Sequence, residues 1–513
     1  MKSSPWGFRL ALAAILIIGC LVRLTNIDST PLGLNADEAY AGYEAWSMAN
    51  AGTDSHGYVN PVYFVSWGSG MNVLYSYLSV PAVKLLGLNT FSLRITQAIL
   101  GCFTLILIYL ITRRFLNRRS CLIILGLFAI IPWHIMLVRW GLESNILPFC
   151  LTLGVFGFVY GLEQRPFLLL AALGFGLSLY SYAVAWMIVP FLIVGLVGYG
   201  IYTKRITLNR WSIISGALLI LLGLPLLLFI LVNIGLLPEI RTSFISMPKM
   251  PIFGSGGYSL NIIENLTNSI NVLFNIRPDG YNVLSGYGLF FLFSSPLVAY
   301  GLWHIFRITR DNIKAKKWSL ELISAIWIAA CIPVFIFISD ANATRLNALF
   351  IPVFFAMLLG LLHLTRTGFG RQILPLILAT YGISFLGFWQ AYPYNRAWNF
   401  PQTAEPIAYI QDLPGDVYFD GIHFPELLVS AHPTIPAQEA IYDNPHAFWH
   451  HGRIVVPRID RYHTNVRHDA PIDLDGIYIL RADNWAFINR LRDEGFTIVF
   501  ENPDRKVLKI PHE

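Results

Sequence analysis

Long uncharged apolar runs, repeated along most of the chain, restrict what this sequence can fold into more than any other feature. The first is "LALAAILIIGC", from Leu10, and others start near Ile95, Ser120, Asn145, Pro166, Met187, Trp211, Tyr287, Leu320, Leu346 and Gln372. A helix needs roughly 20 apolar residues to cross the hydrocarbon of a bilayer. The stretch from Pro166 to Thr203 is too long for one crossing, so it divides in two with "YSYAVAW" as the turn. About eleven crossings are therefore expected. Composition agrees: of 513 residues, 55% are hydrophobic and 13% charged, with a mean hydropathy of +0.56. A soluble domain has about a quarter of its residues charged.

Lys2 and Arg9 precede the first run, which has some features of a signal peptide ending in "IIGC". The many later runs favour a retained first span, about residues 8 to 25, with its positive flank inside. The segment 71–87, "MNVLYSYLSVPAVKLLG", is apolar but short, and it contains Pro81 and Lys84. If it does not cross, one face receives Arg113, Arg114, Arg118, Arg119, Arg165, Lys204, Arg205 and Arg210. Arg307, Arg310, Lys314, Lys316, Lys317, Arg366 and Arg371 fall on that same face, as the positive-inside rule requires. The segment therefore reads as an amphipathic helix on the membrane surface.

The expected architecture is an α-helical polytopic membrane protein. Residues 1–390 form the transmembrane domain, with large outer loops at about 26–93 and 235–286, the latter holding "PKMPIFGSGGYS" and "RPDGYN". Residues 391–513 form a small extracytoplasmic α/β domain, with strand-like "DVYFD", "RIVVP", "GIYIL", "FTIVF" and "KVLKI" and a helical "NWAFINRLRDEG". The N-terminus is expected in the cytoplasm. The compact tail and the lack of an ER-retention signal point to a bacterial inner membrane. Eight of the twelve histidines lie in the tail, and His446 and His450 are spaced for one helix face. No carboxylate has the spacing of a metalloprotease helix, so no metal site is expected there. Cys20, Cys102, Cys121, Cys150 and Cys331 lie in or beside apolar runs and offer no disulfide framework. The formal charge of +6 sits in short clusters between apolar segments, so nucleic acid is not expected as a partner.

Ionisable groups at the edge of a bilayer are costly and often functional. On the expected outer face these are Asp37 and Glu38 in "NADEAY", Arg94, Arg139 and Glu143 in "RWGLESN", and Asp340 and Arg345 in "DANATR". Arginines hold a lipid phosphate through forked, charge-assisted hydrogen bonds. A carboxylate accepts a proton from a hydroxyl nucleophile. Together they suit transfer of a group from a lipid phosphate to an alcohol. Structural alternatives stand beside this reading. Asn35 and Glu38 have capping-box spacing, and Arg139 and Glu143 are four apart, as in a helical ion pair. Arg94 and Arg345 suit snorkelling to head groups. "NLT" at 265 and "NAT" at 342 match glycosylation acceptors, a pattern that also arises by chance.

"NADEAYAGYEAWSMANAGTDSHG", followed by "LYSYLSVPAVKLLGLNTFSLR", resembles the first outer loop of protein mannosyltransferase-like glycosyltransferases. These are family 39 and its bacterial relatives, in the GT-C superfamily. "IPWHIMLVRWGLESN" and "ATRLNALFIPVFFAMLLGL" are similar to a second-loop signature and a late span of that group. The chain departs from it at "MNVLY", where a Pro usually precedes "LY", and at "RITQ", where Pro-Ser usually follows the Arg. The resemblance covers about 8–390 and implies a donor sugar on polyprenyl phosphate. It implies inversion at the anomeric carbon and Asp37 as catalytic base, with Glu38 and Glu143 as supporting acids. Arg94, Arg139 and Arg345 would bind the donor phosphate. The acceptor would be a hydroxyl of protein, lipid or glycan, and membrane lipids would surround the whole. No cofactor is certain, and a divalent metal is compatible with the site. The competing readings are a transporter or flippase of lipid-linked sugars and a non-catalytic membrane scaffold. Such transporters place ionisable groups near the midplane, whereas here the acids cluster at one face.

Overall fold

The computed structural model describes residues 5–66, 69–251, 253, 260–274, 284, 286–339, 341–394, 403–421, 448–450, 453–455, 458–459, 461–464 and 466–511. The chain divides into two compact units. One comprises residues 1–27, 97–230 and 255–392, the other 28–96, 231–254 and 393–513.

The first unit is helical. Helices occupy all eleven places where crossings were expected. Among the described residues, eight helices are long and apolar enough to cross a membrane, and nine if one bent pair counts as a span. The pair is Arg118–Ala129 and Pro132–Val138, which meet at 56°. Arg165–Ser178 is apolar but short, and Ser295–Lys314 carries Arg307, Arg310, Asp311 and Lys314 in its second half. The turn expected at "YSYAVAW" separates helix Leu168–Ser178 from Ala185–Tyr202. Small residues let helices approach closely where lipid offers no hydrophobic drive between them. Gly301 meets Gly360 in this way: a Cβ on Gly301 would fall 1.7 Å from the Ala356 carbonyl oxygen.

The bent pair has a local cause. Pro132 has no N–H to give to the Phe128 carbonyl one turn back. The next N–H, of Trp133, donates instead to Leu289 O at 3.3 Å. Two carbonyls, of Phe128 and Ala129, thus lose their helical donors inside an apolar bundle. The buried Arg23 supplies both, through Nη2 to Phe128 O at 3.0 Å and Nη1 to Ala129 O at 2.9 Å. Its Nε donates to His134 Nδ1 at 3.0 Å, which fixes that imidazole as a neutral acceptor.

The second unit begins with helix Ala36–Ala51, closed by Gly52 at φ 73°. Segment 71–87 forms helix Leu74–Leu86, too short to cross, with Tyr75, Ser76, Ser79 and Val83 buried and Leu78, Leu85 and Leu86 exposed. That division is the expected amphipathic one. Gly42 is where Ala36–Ala51 receives Leu93, whose Cδ2 would lie 2.0 Å from any Cβ there. In the tail, a six-stranded sheet runs Thr497–Glu501, Arg505–Lys509, Ile477–Arg481, Val417–Phe419, Tyr462–His463, Arg458–Ile459. Val417–Phe419 is parallel to both of its neighbours, and the remaining pairs are antiparallel. Helix Trp485–Asp493 buries Phe487, Ile488 and Leu491 against Tyr478, Leu480 and Leu508. All five expected strand pieces are strands, and "RIVVP" supplies Arg453–Val455, paired with Phe448–His450 in a separate ribbon. His450 therefore lies in a strand and not on the helix face that its spacing allowed, while His446 lies outside the described residues.

Candidate active site

In the second unit the "NADEAY" stretch starts a helix. Asn35 is extended (φ −79°, ψ 144°), and its Oδ1 accepts the Asp37 N–H at 2.8 Å, the bond of an N-cap. Asp37 and Glu38 fall in the first turn, where exposed N–H groups favour negative charge. Their fates then differ. Glu38 is fully buried, and its two carboxylate oxygens accept Arg94 Nε at 2.7 Å and Nη2 at 2.9 Å. Asp37 is half-buried. Arg94 further donates to the Pro31 carbonyl at 2.9 Å and the Gly33 carbonyl at 2.8 Å, so it grips the strand of chain leading into the helix.

About two turns further along the same helix lies a second acidic group. Glu44 accepts Ser55 N–H at 2.8 Å and Ser55 Oγ at 2.5 Å. Asp54 Oδ1 accepts the N–H groups of His56 at 2.9 Å and Tyr58 at 2.7 Å, folding "TDSHG" into an Asx-type turn. Both carboxyls are buried. Burial, and then the neighbouring Asp54, pushes the Glu44 carboxyl up. Burial pushes Asp54 up as well, against the two N–H groups it accepts. Burial also lowers His56 to about 4. The sequence reading did not single out Glu44 or Asp54; the signal available was an Asp preceding Ser-His-Gly in a turn after a Glu-bearing helix.

In the first unit, Glu143 opens a short 3-10 turn, Glu143–Ile146, ahead of helix Leu147–Gly161. Arg345 precedes a second 3-10 turn, Asn347–Leu349. These turns are fastened together: Asn347 Nδ2 donates to Ser144 O at 2.6 Å, and Gln97 Nε2 donates to Asn145 O at 2.7 Å. Gln97 ends "RITQ", the stretch that departs from the family pattern after the Arg. Nearby is Tyr182, its phenol in the field of Arg345 and of Glu143. Burial pushes that phenol up to about 12, with Arg345 acting the other way. Tyr182 was missed in the sequence because an aromatic in a short turn between spans resembles an interfacial anchor.

Arg139, expected as a phosphate ligand, is held by the backbone. It is buried, with Nη1 on Val22 O at 2.8 Å and Nη2 on Thr25 O at 2.7 Å and Asn26 O at 3.0 Å. These are carbonyls at the C-terminal end of helix Pro5–Leu24, where a cation opposes the helix dipole. Its guanidinium also lies 5.6 Å from the Trp389 ring centroid and 5.9 Å from that of Tyr392. Arg94, expected in the same role, has the buried carboxylate of Glu38 as a partner. Arg139 and Glu143 do not share a helix, because the helix that precedes Arg139 ends at Val138. Asp340, "RPDGYN" and the whole of "GSGGYS" lie outside the described residues. Asn265 of "NLT" is buried and donates to Ile336 O at 2.9 Å, and Asn342 of "NAT" caps the N–H groups of Thr344 and Arg345. Among the described residues, no three His, Cys, Asp or Glu side chains gather as a metal cage.

Residues 13–235 match the family of dolichyl-phosphate-mannose-protein mannosyltransferases. That segment includes Asp37, Glu38, Arg94, Arg139 and Glu143. No curated protein matches in sequence. Among solved structures, the chain is similar to ArnT from Cupriavidus metallidurans bound to undecaprenyl phosphate, with a TM-score of 0.56, 13% identity and 98% of each chain covered. The apo state of the same ArnT gives a TM-score of 0.57 at 12% identity, over 99% of this chain and 98% of that one. The Archaeoglobus fulgidus oligosaccharyltransferase tethered with an acceptor peptide gives 0.50 at 11% identity, covering 84% of this chain and 63% of that one. The chain is thus a multi-pass membrane protein with the GT-C fold, and its residues 13–235 carry the signature of the dolichyl-phosphate-mannose-protein mannosyltransferase family.

Proposed function

We propose that the protein is an inverting membrane glycosyltransferase that moves a sugar from a polyprenyl-phosphate carrier to a hydroxyl acceptor. The observation that carries this reading is the unequal pair at the start of helix Ala36–Ala51. Glu38 is buried against Arg94, whereas Asp37 keeps contact with solvent in the first turn. A carboxylate so placed can take the acceptor's proton as its oxygen attacks the anomeric carbon. The bond to the lipid phosphate oxygen then breaks, with inversion, through an oxocarbenium-like transition state. The departing phosphate needs a cation already in place, and Arg345, whose field reaches the Tyr182 phenol, is the one we assign to it. Glu143 serves as the supporting acid beside Arg345. Arg94 and Arg139 act as positioning residues.

The ArnT structure bound to undecaprenyl phosphate supports a lipid phosphate as the donor's leaving group. The family match supports a mannose-like sugar on that lipid. We place the reaction on the extracytoplasmic face of a bacterial inner membrane, with residues 1–390 as the catalytic membrane domain and 391–513 as an extracytoplasmic domain. One cavity of the first unit is lined by Arg114, Arg205, Lys316 and Lys317, so basic loops from three parts of the sequence gather at one end of that unit. The positive-inside rule makes that end cytoplasmic.

The test is sugar transfer in membranes from labelled polyprenyl-phosphate sugars, with wild type, Asp37→Asn and Arg345→Gln compared. We expect Asp37→Asn to lose transfer by at least about a hundredfold while donor binding is retained. Arg345→Gln should lose donor binding as well. Undiminished transfer by Asp37→Asn overturns the assignment of the base. EDTA in the same assay reads whether a divalent metal takes part.

A further inference from the structure

A second cavity of the first unit, about 710 Å³, lies where the N-terminal end of Pro5–Leu24, the C-terminal end of Thr90–Arg113 and the start of Arg118–Ala129 come together. Arg9, Arg113 and Arg118 line it together with Phe8, Leu12 and Leu116. The three guanidinium groups are exposed, whereas the apolar residues are half-buried. Among the described residues, none of the three arginines has an acidic partner. Arg9 lies 5.7 Å from the centroid of Trp6, and Arg118 lies 5.4 Å from that of Phe8. The contrast with the next residue is direct: Arg114 forms an ion pair with Glu163. Adjacent arginines at one helix end thus divide into one neutralised by the protein and one left with its charge.

The volume is that of a small-molecule site. Its chemistry has two levels, cations at the mouth and hydrocarbon beneath, set at the end of helices whose neighbouring surface is apolar and exposed at Leu10, Ile17 and Ile106. An inorganic anion would use only the first level. Basic pockets between membrane helices, at head-group depth, take anionic lipids, and guanidinium forks suit phosphate oxygens. We propose that this cavity binds the head group of an anionic phospholipid. Its phosphate meets Arg9, Arg113 and Arg118, and its glycerol and upper acyl carbons lie on Phe8, Leu12 and Leu116. The site is separate from the residues assigned to sugar transfer, and the proposal does not depend on that assignment.

Native mass spectrometry of the full chain in detergent, with phosphatidylglycerol and phosphatidylcholine added in turn, tests this. We expect phosphatidylglycerol to be retained about tenfold more strongly, and less so at high salt. Equal retention of the two lipids overturns the proposal. The triple variant R9Q/R113Q/R118Q should lose the preference, and R9K/R113K/R118K should keep most of it. Preference undiminished in the Gln variant places the lipid elsewhere and overturns the site. If the Gln variant does not fold, Leu12→Glu decides, because a carboxylate on the cavity floor should repel the anionic lipid and leave phosphatidylcholine binding unchanged; unaltered preference there also overturns it. Displacement of phosphatidylglycerol by millimolar inorganic phosphate would show a simple anion site in place of a lipid one.

Discussion

Arg94 and Arg139 belong to different units and resemble each other in the sequence, each an arginine at the edge of an apolar run beside an acid three to five residues off or in the preceding loop. Both are fully buried, yet they solve that burial differently. Arg94 meets a carboxylate in a two-bond fork, so the pair carries no net charge. Arg139 meets carbonyl oxygens at a helix end and the faces of two aromatic rings. A buried cation thus reports first on the backbone it completes. Arg94 ties down the lead into helix Ala36–Ala51, and Arg139 closes helix Pro5–Leu24.

The largest effect should come from splitting the charged pair. Glu38→Gln alone leaves Arg94 charged and buried without its counter-ion, a change worth about 3–5 kcal/mol. Folded protein recovered in detergent should fall sharply for Glu38→Gln, and partly return in the double variant Glu38→Gln, Arg94→Gln. Equal recovery for all three chains would mean that the pair contributes nothing to stability. Arg139→Lys should cost less, about 2 kcal/mol, because an ammonium cannot span carbonyls set for a planar fork. A melting temperature unchanged by Arg139→Lys would remove the helix-closing role and reopen the phosphate-binding one. The smallest effect concerns pH. The Glu44 and Asp54 carboxyls are raised in the native chain, so above the ordinary carboxylate range the folded state binds more protons than the unfolded one. Their contribution is therefore complete at acid pH and declines as pH rises towards and past neutrality. Protease sensitivity of residues 52–58 should increase over that range in wild type and change little in the double variant Glu44→Gln, Asp54→Asn. A flat profile in wild type would show that the pair does not titrate there.

Much of the fold was legible because membrane helices declare themselves by length and apolarity, and every expected crossing is helical. The count was harder to read. Proline at 132 breaks one run and charge at Arg307 to Lys314 dilutes another, neither of which a hydropathy reading weighs against tertiary partners. Asn35 as an N-cap was readable, since its bond is local. The partners of Glu38 were not, because Arg94 is 56 residues away and capping-box spacing pointed to a local bond instead. Tyr182 and Gln97 were invisible for the same reason: their roles exist only once separate turns are stitched together.

The break at Pro132 has a consequence for how such a chain can change. Arg23 supplies the two hydrogen bonds that the proline takes from the helix, so the two residues form one heritable unit although 109 positions separate them. A lineage that lost Pro132 and straightened the helix would strand a cation in hydrocarbon, and one that lost Arg23 would strand two carbonyls. Each route passes through a less stable ancestor unless both positions change together. Proline at 132 and arginine at 23 should accordingly appear and vanish as a pair among related sequences.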